Sequence, residues 1–109
     1  MSIHDDKVAS LLVHLAAEFI AREAGRSTLI TPTRAVIGRD HNATVFVTVF
    51  PEEQGVHAIE FLTRNADEFR SFLKKEARFS RLPRVHFEID KGEEHRRHLD
   101  ELSRDLENG

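Results

Sequence analysis

Six cations crowd the segment from residue 70 to residue 84: Arg70, Lys74, Lys75, Arg78, Arg81 and Arg84. At this density, guanidinium and ammonium groups suit the neutralisation of phosphates, and arginine adds paired hydrogen bonds to the charge. Arg70, Lys74, Arg78 and Arg81 recur at near-helical spacing, so a helix running through them would carry all four on one face. From Arg64 to His86 the net charge is +4, and from Phe87 to Gly109 it is −4. The whole chain carries −3, with a pI near 6.1. A polyanion surface must therefore come from uneven distribution and not from a generally basic coat. A plain alternative exists: solvated helices often carry charge of one sign, and Arg70 and Arg78 would then simply pair with a nearby Glu or Asp.

Other chemistries find less support. His95 and His98 follow Glu93-Glu94 and could share a metal at i, i+3 on one helix face. A hydrolytic zinc site needs a third ligand, an open position and a fixed second shell of partners, and the segment has no glutamate-flanked two-histidine signature. Cysteine is absent, which removes disulfides, thiolate ligands and thiol nucleophiles together. No glycine-rich phosphate loop or serine elbow occurs. The seven histidines point to pH sensitivity near neutrality more than to catalysis. The expectation is a binding protein with no catalytic residues, no metal and no cofactor.

The elements that position these groups can be read from periodicity. At 109 residues, with 39% hydrophobic and 32% charged content, the chain should form one domain with a modest core. No apolar run reaches membrane-spanning length and no signal-peptide layout opens the chain, so a cytoplasmic location without membrane contact is expected. A helix over 3–24 has Ser2 as its cap and an apolar stripe of Val8, Leu11, Leu12, Leu15, Phe19 and Ile20, with His4 and His14 at its surface. A hairpin over 29–50 follows, with Pro32 marking an edge or a bulge and a turn at Arg39–Ala43. Arg34 and Arg39 on this hairpin are secondary candidates for phosphate contact. In its second strand Val45, Val47 and Val49 share one face, and Thr44, Phe46, Thr48 and Phe50 share the other. The two phenylalanines are read as core; turned outward they would stack on bases or pack on a partner.

A long helix over 52–80 is predicted next, its buried stripe formed by Val56, Ile59, Leu62, Ala66, Phe69, Leu73 and Ala77. Its length suggests a bend or two joined helices. Leu82-Pro83 ends it, a strand over 85–90 buries Val85, Phe87 and Ile89 on one face, and a tail helix over 93–106 carries Leu99, Leu102 and Leu106 before a fraying Asn108-Gly109. A strand with one polar face implies helices on one side of the sheet only. The fold class is α+β, in two layers.

The order α-β-β-α(-α)-β with a short C-terminal helix resembles the ribosome-binding factor A family, whose members have a KH-like domain of type II. The resemblance is carried by Ala43-Thr44-Val45-Phe46-Val47-Thr48-Val49, by Phe69-Arg70-Ser71-Phe72-Leu73, by the run from Arg78-Phe79-Ser80-Arg81-Leu82-Pro83-Arg84 to Phe87, and by Leu99-Asp100-Glu101-Leu102. It implies a non-enzymatic bacterial assembly factor that binds the small (30S) ribosomal subunit and its 16S rRNA in late maturation and matters most in the cold. Ribosomal proteins and an assembly GTPase are further partners it allows, and a monomer is the simplest state. Like its relatives, the chain lacks the Gly-x-x-Gly loop of ordinary KH domains. Many relatives have an Ala-x-Gly kink in the long helix, and the corresponding residues here are Asn65, Ala66 and Asp67, without glycine. On this reading the rRNA-binding residues are Arg70, Lys74, Lys75, Arg78, Arg81 and Arg84, joined by Arg34 and Arg39. The rival is a protein-interaction module on the same scaffold without rRNA binding. More remote is a metal-binding protein built on His95 and His98.

Overall fold

A computed structural model describes residues 3–108. The Ser2 cap, the side chain of His4 and the end at Gly109 lie outside the described residues. The elements are α1 (Ile3–Glu23), β1 (Leu29–Ile37), β2 (Asn42–Phe50), α2 (Gly55–Arg64), α3 (Ala66–Glu76), β3 (Arg84–Ile89) and α4 (Lys91–Asn108), with a tight turn at Arg39–His41 and a single 3-10 turn at Glu52–Gln54. Leu12, Leu15, Ala16, Phe19 and Ile20 give α1 one buried stripe, while His14 is exposed and lies 2.9 Å from Glu18 one turn on. No helix among the described residues is long and apolar enough to cross a membrane.

The three strands lie in the order β1-β2-β3. β1 and β2 form the antiparallel hairpin, and β3 returns parallel to β2 through the α2–α3 crossover. Pleating places Ala43, Val45, Val47 and Val49 against the helices, all at most 1% exposed. Thr44, Phe46, Thr48 and Phe50 therefore face the other way, and reading Phe46 and Phe50 as core is corrected. Phe46 is half-buried beneath the Arg34 guanidinium, 3.9 Å from the ring centre, and Phe50 is 63% exposed beside its cross-strand neighbour Leu29. The aromatic share of the core is supplied elsewhere. Phe69 sits 5.1 Å from Phe19 and 5.5 Å from Phe87, ring centre to ring centre. That cluster leaves room only for small β-branched side chains on the inner face of β2.

The expected helix over 52–80 is interrupted and shorter. α2 ends at Arg64, and Asn65 leaves helical geometry at φ −98°, ψ 15°. The Asn65 backbone N–H and its side-chain Nδ2 both donate to the Phe61 carbonyl, at 3.1 and 2.8 Å. Leu62, Phe69 and Leu73 of the expected stripe are buried on either side of the break, joined by Ala58 and Phe72, whereas Val56 is 70% exposed and Ala66 is exposed. α3 stops at Glu76 because Ala77 is extended at φ −150°, ψ 159°. The following segment must carry Phe79 and Leu82 onto the core before β3 begins. Arg78 and Arg81 therefore stand on an irregular connection, and the single helical face of Arg70, Lys74, Arg78 and Arg81 does not form.

α4 begins at Lys91, two residues earlier than expected, because Asp90 caps it: the Glu93 N–H donates to Asp90 Oδ1 at 3.0 Å. Asp90 also keeps the last ladder contact of the sheet, its N–H donating to the Val47 carbonyl at 2.7 Å.

Candidate nucleic-acid interface

The basic residues reach one region by different routes. Arg70 on α3 and Arg84 at the start of β3 border one groove of about 220 Å³, whose floor includes Phe69, Leu73 and Val85 and whose rim includes Asp67. Arg78 and Arg81 border a second cleft of about 120 Å³ together with Lys7 of α1. Arg84 is aligned with Asn42 at the start of β2, and Asn42 Nδ2 donates to the Arg39 carbonyl at 3.2 Å. The end of the sheet where β2 and β3 begin thus gathers Arg39 and Arg84, with Arg70 across the neighbouring groove. Lys74 lies one turn along α3 from Arg70 and is exposed. Lys75 lies apart, in a depression shared with Arg22 and with Glu23, Glu68 and Glu76, so its charge is locally balanced.

Among the described residues, no ion pair within 4.0 Å engages Lys7, Arg39, Arg70, Lys74, Lys75, Arg78, Arg81 or Arg84. The pairing of Arg70 or Arg78 with a nearby acid is therefore absent among the described residues. Several exposed cations on separate elements follow a curved chain of phosphates better than they hold one small anion. Lys7 was not legible from local spacing; only the fold brings α1 beside the connection after α3.

Arg34 is different. It stacks on Phe46, and its Nε lies 3.4 Å from Asp90 Oδ2. Asp90 is 3% exposed and accepts a 2.5 Å hydrogen bond from Thr33 Oγ1, which also reaches the Phe46 carbonyl at 3.3 Å. The Thr33 hydroxyl is the main reason the Asp90 carboxyl is held below its ordinary value of 3.8; the Glu93 N–H and the Arg34 charge add to this against the opposing effect of burial. Sequence reasoning missed this group. Its signal was an Asp three residues ahead of Glu93 at the end of a strand.

His95 is exposed, and His98 Nε2 lies 2.8 Å from Glu52 Oε1. Among the described residues no three His, Asp or Glu side chains converge so as to hold a metal ion.

Comparison with known proteins places this architecture. The family model of ribosome-binding factor A matches residues 4–103. The crystal structure of ribosome-binding factor A from Thermus thermophilus is 30% identical, with TM-score 0.64, covering 78% of this chain and 94% of that one. The solution structure of a candidate ribosome-binding factor A from Thermotoga maritima is 26% identical, with TM-score 0.67, covering 84% of this chain and 92% of that one. The α+β, KH-like architecture is common to all three. No curated protein matches the chain.

Proposed function

This chain belongs to the ribosome-binding factor A family, and from that premise we propose that it binds the small (30S) ribosomal subunit through its 16S rRNA during late maturation, by contact and without catalysis. The observation that carries this reading is the gathering of Lys7, Arg39, Arg70, Arg78, Arg81 and Arg84 toward one end of a chain of net charge −3, with no ion pair among them. Lys74 extends the basic surface along α3. An RNA backbone supplies the missing anions, and a structured rRNA presents its backbone and shallow minor groove before its base edges, so shape carries more of the specificity than sequence. Neighbouring ribosomal proteins and an assembly GTPase fit the same setting, in the cytoplasm and with the greatest demand in the cold.

Cosedimentation with purified small subunits tests this. Arg78→Glu should weaken binding by roughly tenfold, as one phosphate contact turns into a repulsion. Binding that ignores both the substitution and added salt would sink the rRNA reading. In gradients of cell extract the protein should travel with immature small subunits and not with assembled ribosomes.

A second reading rests on the outer sheet face, where Leu29 and Phe50 stand 65% and 63% exposed side by side. A protein partner seated there predicts binding that survives high salt and disappears with Phe50→Ser.

A further inference from the structure

α4 is mounted with its apolar side outward. Glu93, Glu94 and Arg97 are half-buried at its seat, and Arg97 and His98 reach Glu52 at 3.4 and 2.8 Å. Each helical residue turns by about 100°, which puts His95, Leu99, Leu102 and Leu106 on the side away from Arg97. The three leucines are 49%, 56% and 75% exposed. An amphipathic helix ordinarily turns such a stripe to its own core. Here α4 projects instead: the radius of gyration is 15.4 Å, against about 13 Å for a compact chain of this length.

Two features say what covers the stripe. Its spacing of four, three and four residues is that of a heptad seam, narrower than a core-facing stripe and matched to another helix. Its charge is lopsided, with residues 91–98 carrying net +1 and residues 99–108 net −3. A parallel copy would set −3 against −3, whereas an antiparallel copy sets unlike halves together. The acidic half also disfavours nucleic acid or an anionic bilayer as the occupant.

We propose that α4 is a self-association seam, through which two copies of this chain pair antiparallel. Leu99 of each copy layers on the partner's Leu102, and His95 layers on the partner's Leu106. Three leucines per helix bury far less than the roughly 1,200 Å² of a stable interface, so the pairing is weak and set by concentration.

The chain has no cysteine of its own, which makes cross-linking a clean test. In the antiparallel register Arg96 and the partner's Ser103 flank the same interval of the seam. Full-length Arg96→Cys and Ser103→Cys proteins are mixed at high concentration and oxidised. The mixed disulfide dimer should exceed either homodimer several-fold and should vanish when Leu102→Glu is added to both. An excess of homodimers over the mixed dimer would overturn the proposal. Monomer alone, leaving the seam to a helix of another protein, would also overturn it, and so would a mixed dimer that survives Leu102→Glu. Arg78→Glu should leave the cross-link unchanged, which separates this result from the fate of the rRNA reading.

Discussion

At the scale of single residues, Asp90 does more than its place at the end of a short strand suggests. It starts α4, receives the bulged Thr33 and neutralises Arg34, so one carboxylate ties the edge strand to the tail helix. Asp90→Ala should cost about 2–3 kcal/mol, combining a lost cap with lost hydrogen bonds to a buried charge, as urea titration at neutral pH would measure. Its pH dependence has a definite sign. The folded-state carboxyl titrates below its ordinary value of 3.8, so its stabilisation is present above that value and fades as pH falls further. Between pH 5 and pH 2, on the order of the window this linkage covers, the native protein should lose more stability than Asp90→Ala; equal losses would remove the carboxylate from the account. Residues of this kind are hard to read in sequence because their partners are distant: Thr33 is 57 residues away and enters only through a bulge.

At the scale of elements, hydrophobic period was legible wherever one buried stripe belonged to one element. α1 and β3 are such cases, whereas in β2 the alternation was legible and the outward turn of Phe46 and Phe50 was not. It misled between Gly55 and Pro83 because two helices and an extended segment share a run without Gly or Pro, and period alone does not mark where a helix stops to satisfy the core. The cations of the candidate site were legible by type and density, but their arrangement was not, since Lys7 joins Arg78 and Arg81 only in three dimensions. The turn between β1 and β2 offers a local test. Asp40 and His41 both have φ of 57°, in the left-handed region. That conformation costs a non-glycine residue about 1–2 kcal/mol, of which the added freedom of an unfolded glycine returns roughly 0.5–1 kcal/mol. His41→Gly should therefore raise stability by up to about 1 kcal/mol, read as a higher melting temperature; a lower one would show that the histidine ring itself holds the turn.

At the scale of the whole molecule, charge is separated along the chain into a basic end and an acidic tail, on a body whose helices cover one face of the sheet. If four to six phosphates are engaged, affinity for small subunits should fall roughly a hundred- to thousand-fold between about 50 and 200 mM salt; a flat response would place the contact elsewhere. The parallel placement of β3 has a consequence for the order of assembly. The β1–β2 hairpin is a local pairing that can close as soon as Phe50 has left the ribosome. The ladder on the other side of β2 waits for Arg84–Ile89, after both crossover helices have been made. Until then Val45 and Val47 lie on a strand with one unpaired edge, a template for pairing between nascent chains. A product truncated before Val85 keeps that edge for good, so premature termination there should yield aggregates and not a smaller working protein.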